Sequence, residues 1–187
     1  MRRRLIIVGC VLAVLTVAWA VPVIALNAIQ DKHNVDAREL IVDDPATYPL
    51  LKPLKWTDRG IASDAEGVYA RSWASGKVRL FERVHRYGSS IGAFYAFWTQ
   101  DPLFVYERRA RILTAQPSSS LRADQAELFC ADLTSKRGAR HKCIAWGAWL
   151  RYGQYTVYIA IANMVLSEAE FAAIIGRADA AVDRALL

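Results

Sequence analysis

Residues 142–163 read KCIAWGAWLRYGQYTVYIAIAN. Two apolar runs rich in aromatic and β-branched residues meet at Arg151-Tyr152-Gly153, a pattern of two strands joined by a tight turn. The spacing predicts strands over 142–151 and 154–163, connected at Tyr152-Gly153. Pairing around that turn sets Trp146 opposite Ile159, Ala148 opposite Val157 and Leu150 opposite Tyr155. Cys143, Ala145, Gly147 and Trp149 line the other side, so both faces are apolar. Such a hairpin belongs at the centre of a sheet that is covered twice. The polar break and the residue types exclude a membrane span here.

Outward from this hairpin the pattern stays legible. Ser167-Glu168-Ala169-Glu170 is a capping box opening a final helix, with Phe171, Ile174, Ile175, Ala178, Val182 and Leu186 on one apolar face. On the N-terminal side a strand is expected at 126–133. Gly67–Trp73 and Lys77–Tyr87 flank Ala74-Ser75-Gly76 as a second hairpin. Ser89 or Ser90 caps a helix reaching Thr99, whose Ile91, Phe94, Tyr95 and Trp98 form one stripe at i, i+3, i+4 and i+7. Trp73, Trp98, Trp146 and Trp149 are expected in the core. Asp101-Pro102 stops the helix, and Leu103–Leu113 fits either a helix or a strand. The fold class is α+β: an antiparallel sheet of about five strands, packed by the mid-chain and C-terminal helices, with an N-terminal transmembrane helix.

That last element rests on Leu5–Leu26, 22 uninterrupted apolar residues behind Arg2, Arg3 and Arg4. As a helix it is about 33 Å long, against a bilayer hydrocarbon core of roughly 30 Å. Three arginines before it keep the N-terminus in the cytoplasm and send the rest of the chain outside. Ala18-Trp19-Ala20 resembles a cleavage site, but the run continues through Val21, Val23, Ile24 and Leu26, so an uncleaved anchor is expected. Ile7-Val8-Gly9-Cys10 resembles a lipoprotein box with too few apolar residues ahead of it. The organisation is a cytoplasmic tail and anchor at 1–26, a stalk and lead-in at 27–66, and an extracytoplasmic domain at 67–187. Asn27 to Val42 can extend the anchor helix until Asp43-Asp44-Pro45 ends it. Pro45, Pro49 and Pro53 then space an irregular stretch that lies over the domain or holds it off the membrane.

The chain carries 24 basic and 18 acidic residues, a formal charge of +6. With the three N-terminal arginines set aside, 21 basic residues face 18 acidic ones outside the anchor. That excess is too mild for nucleic acid. Cys10 lies in the apolar run, and Cys130 and Cys143 form a pair that an oxidising compartment would bond. A two-residue turn at Lys136-Arg137 would place these cysteines directly opposite one another, unless a bulge at Gly138 shifts the register.

Gly88-Ser89-Ser90-Ile91-Gly92 matches G-x-S-x-G, the turn that exposes a nucleophilic serine between a strand and a helix. Ser90, His141 and Asp132 (or Asp124) follow in the order such a hydrolase needs. Against this stand an antiparallel sheet and a histidine crowded by cations. His33, His85 and His141 share no ligand spacing, so neither metal nor cofactor is expected. Lys136, Arg137, Arg140 and Lys142 form a basic cluster at a hairpin tip, suited to an anionic envelope surface. The expected partners are the bilayer, through Leu5–Leu26, and another envelope protein or small envelope ligand. A non-catalytic binding or accessory module is the leading expectation; a membrane-tethered serine hydrolase is the alternative.

A short anchor, Cys130, Cys143-Ile144-Ala145-Trp146 and Arg151-Tyr152-Gly153-Gln154-Tyr155 form a familiar arrangement. Over residues 78–187 it resembles uncharacterised membrane-anchored secreted proteins of actinobacteria. The resemblance implies a cell-envelope setting and no catalytic site.

Overall fold

The structure, a computed structural model, describes residues 35–42, 44–65, 67–100, 110–112, 121–131 and 143–187. Its centre is one antiparallel sheet of seven strands. These are β1 (Thr57–Ala65), β2 (Val68–Ser75), β3 (Val78–Arg86), β4 (Ala110–Ile112), β5 (Gln125–Ala131), β6 (Ala145–Tyr152) and β7 (Tyr155–Ala162). The order β1-β2-β3-β7-β6-β5-β4 joins two meanders at the β3–β7 seam. Helix α1 (Ser90–Thr99) covers one face, and α2 (Glu168–Leu186) packs on the other. Among the described residues no helix is long and apolar enough to cross a membrane. Leu5–Leu26 lies outside them.

The central hairpin has the expected faces in a register two residues away. Trp146 pairs with Ile161, Ala148 with Ile159 and Leu150 with Val157, and Tyr152–Tyr155 closes the ladder. The turn is Gly153-Gln154, because the glycine, at φ 52°, supplies the positive φ that a two-residue hairpin needs at its first position. A shift of two leaves every side chain on its face. The cysteines are bonded, Cys130 to Cys143, with Cα atoms 5.4 Å apart. They are not register partners, however: Cys130 pairs with Trp146, and Cys143 precedes β6. The last pair of that ladder is Ala131–Ala145, so a two-residue turn at Lys136-Arg137 does not set its register.

β1 was not foreseen, and β4 resolves residues 110–112 of the ambiguous Leu103–Leu113 stretch as strand. β4 is a three-residue edge, and β1 (TDRGIASDA) carries no apolar alternation because no residue in it is buried. Register shifts on either side of Ile61 break β1, and an irregular edge resists pairing with another chain.

Residues 35–56, read as lead-in, belong to the core. Asp36 caps a 3-10 turn at Ala37–Leu40, and Asp44 caps another at Pro45–Thr47; no anchor helix continues through this stretch. Leu40, Ile41, Tyr48 and Leu51 are buried against the α2 face of the sheet. Glu82 fixes them. Buried among apolar neighbours, its carboxylate accepts from Val42 N–H (2.9 Å) and from the Tyr48 hydroxyl (3.3 Å). Burial, and then the adjacent carboxylate, raise the Tyr48 pKa well above the ordinary phenol range.

Helix α1 turns over relative to the expected stripe. It buries Ser90, Ala93, Ala96 and Phe97, and leaves Phe94, Tyr95 and Trp98 exposed at 42%, 61% and 59%. The small residues let the helix lie close to the sheet, where Phe97 stacks on Trp149 and Trp149 Nε1 donates to the Phe97 carbonyl (3.2 Å). Trp73, Trp146 and Trp149 are core residues; Trp98 is not.

Candidate functional site

The serine motif sits at the entry to α1. Ser89 is the cap, its Oγ accepting from Gly92 N–H (3.1 Å), and Ser90 is the first helical residue, only 8% exposed. The strand leading in, β3, is antiparallel to its neighbours, whereas a nucleophile elbow needs a parallel sheet. His141 and Asp132 lie outside the described residues, as do Lys136, Arg137, Arg140 and Lys142. Asp124 is occupied structurally: its carboxylate accepts from Gly153 N–H (2.6 Å) and pairs with Arg151 (3.2 Å). His85 stacks on Tyr87 with ring centroids 3.9 Å apart, and burial, then Arg83, lower its pKa. No group of three metal-ligating side chains occurs among the described residues.

Two hollows remain as places for a ligand. One, of about 520 Å³, lies between the first 3-10 turn and the β1–β2 connection. Two arginines and two acids line it, and one of the arginines, Arg38, is already held by both Asp64 oxygens, at 2.7 Å each. The other, of about 490 Å³, is a groove between residues 39–48 and α2. Leu40, Ile41, Tyr48, Ala180 and Ala181 line it on the apolar side, and Arg122, Arg177 and Arg184 bring three guanidinium groups to it against the single carboxylate of Glu39.

The groove's walls follow from two buried acids. Glu82 holds residues 42–48 down. On the other side Asp179, 1% exposed on the inner face of α2, accepts from Arg122 N–H (2.9 Å), Ala123 N–H (3.0 Å) and the Tyr152 hydroxyl (2.8 Å). Burial first, and then the Asp179 carboxylate, push the Tyr152 pKa up, so its proton stays on the phenol. Arg122 is thereby fixed at the mouth, with its guanidinium paired to Asp183. Arg184 donates its Nε–H to the Ala180 carbonyl (3.1 Å), and Arg177 makes no ion pair among the described residues.

An apolar floor with guanidinium groups at the rim suits a ligand that has a short hydrocarbon part and an anionic head. Sequence reading missed this groove, and neither Arg177 nor Arg184 stood out in it. The available signal was their seven-residue spacing with a lone aspartate, Asp179, inside the apolar stripe between them. No protein-family model, no curated protein and no solved structure matches the chain.

Proposed function

We propose that this chain is a single-pass membrane protein whose extracytoplasmic α+β domain is a non-catalytic binding module for a small anionic amphiphile. The observation that carries the reading is the groove beside α2, where three arginines and one acid, Glu39, line an apolar floor and Arg177 makes no ion pair among the described residues. Leu5–Leu26 supports the anchor, and the Arg2-Arg3-Arg4 flank supports its direction. The Cys130–Cys143 bond accords with an oxidising compartment.

Thermal unfolding of the full chain in phosphatidylcholine nanodiscs tests the site. Octyl phosphate should raise the melting temperature, while inorganic phosphate and octanol, each carrying half of the chemistry, should do far less. The double variant R177A/R184A should weaken octyl phosphate binding about tenfold or more, two charge-assisted contacts being lost. An equal response to inorganic phosphate, or an unchanged response in the variant, would remove the groove from consideration. An impermeant maleimide applied to intact cells tests the topology: Cys130 and Cys143 should label only after reduction.

A further inference from the structure

We infer that the outward aromatic face of α1 lies in the headgroup region of the bilayer beside the protein's own anchor. The inference rests on the reading of Leu5–Leu26 as membrane-spanning.

The helix sequence SIGAFYAFWT has no charged side chain; it buries Ser90, Ala93, Ala96 and Phe97 and turns Phe94, Tyr95 and Trp98 outward. Phe94 touches both Tyr95 and Trp98, with ring centroids 6.0 and 6.4 Å apart, so the three exposed rings form one continuous ridge. The Arg151 guanidinium lies 5.8 Å from the Phe94 centroid and adds a cation at the ridge's edge. Among the described residues these rings touch the core only through Trp98, whose edge meets Phe97 with centroids 5.9 Å apart. The domain's own aromatic cluster on that face (Phe97, Phe129, Trp149, Tyr158) is complete beneath the helix. Exposed tyrosine and tryptophan with a neighbouring arginine match the polar–apolar gradient at a membrane surface.

Tether length selects the bilayer as the occupant. Eight residues, 27–34, separate the apolar run from Val35, a reach of at most about 29 Å when fully extended. Val35 is held at a known place: its N–H donates to the Tyr155 hydroxyl (3.0 Å), which donates back to its carbonyl (2.9 Å). Tyr155 follows Gln154, whose carbonyl accepts from Tyr87 N–H (2.8 Å), and Tyr87 precedes the Ser89 cap of α1 by two residues. The chain therefore departs for the membrane from the same end of the sheet at which α1 begins. With that end close to the lipid surface, the start of α1 comes near the headgroups, although the chain leaves on the α2 face and α1 lies on the other.

Fluorescence of the full chain in liposomes containing lipid brominated close to the headgroup tests this. Trp98→Phe should remove one part of the bromine quenching and Trp19→Phe, in the anchor, another part. The exposed Trp98 can be replaced without disturbing the core. If Trp98→Phe changes nothing while Trp19→Phe abolishes quenching, the anchor is in the bilayer and the ridge is not, which overturns the inference alone. If no variant is quenched, the anchor reading fails and the inference fails with it. Protection of Trp98 from aqueous iodide that grows with protein density, without bromine quenching, would assign the ridge to a second copy and also overturn it.

Discussion

Asp179 occupies the one polar position on the inner face of α2, and its worth lies in partners distant in sequence. The carboxylate gathers two backbone N–H groups 56 and 57 residues away and a phenol 27 away. Removing it leaves one buried and two partly buried donors with nothing to accept them, and each unsatisfied group is costly. Asp179→Ala should therefore lose about 3 kcal/mol or more of stability, and Tyr152→Phe, which leaves the two N–H bonds in place, about 1 kcal/mol. Urea unfolding of both variants and their double would show the two losses to be non-additive. A different constraint acts at Gly147, where a Cβ would fall inside the buried ring of Phe129 on the neighbouring strand. Gly147→Ala should cost about 2 kcal/mol through overpacking, and adding Phe129→Leu should recover part of it, which a denaturation series can measure. Neither position was legible in the sequence. A single acid or glycine in an apolar pattern does not reveal which distant atoms approach it.

Helix α2 was readable at its start because a capping box is local chemistry. Ser167 Oγ accepts from Glu170 N–H (3.2 Å), and the Glu170 carboxylate accepts from Ser167 N–H (2.7 Å). Those bonds from the Ser167 backbone and side chain hold the Glu170 pKa below the usual glutamate value. The sign follows: the folded state prefers the ionised carboxylate. Its contribution is complete above the unfolded pKa of about 4.3 and fades as pH falls through the lower folded value. Melting temperatures of the wild type and Glu170→Gln should accordingly differ most at neutral pH and converge in acid. The orientation of α1 was not readable, for the opposite reason. Nearly every position of SIGAFYAFWT is apolar, so Ile91, Phe94, Tyr95 and Trp98 and the stripe of Ser90, Ala93, Ala96 and Phe97 satisfy the helical period equally well. The close approach of the helix to Trp149, a tertiary demand for small residues, decided between them.

At the scale of the molecule, the sheet is two meanders that meet only where β3 pairs with β7, and residues 35–56 cross that seam. Tyr48 and Leu51, 1% and 0% exposed, cover Glu82 and its neighbours on β3, while Leu40 lies in the groove beside α2. Little in the residue pattern announces this role. Three prolines and scattered polar residues read as a spacer, and a segment without regular structure shows no period through which burial can be seen. The consequence is a clear order of importance. The Cys130–Cys143 bond closes a short loop and should contribute about 3 kcal/mol, so a double serine variant remains folded with a lower denaturation midpoint. Leu51→Ala should cost about 2–5 kcal/mol, as for other fully buried leucines. Deleting residues 35–56 does more than either: it uncovers Leu80 and Val84 and strips the buried Glu82 of two of its donors, the Val42 N–H and the Tyr48 hydroxyl. A chain beginning at Thr57 should therefore lose its near-ultraviolet dichroism and become protease-sensitive, whereas one beginning at Val35 should keep both native signatures. If the shorter chain folds as well, residues 35–56 are a dispensable cover, and the free tether to the membrane is nearly four times as long as the structure implies, 30 residues against 8.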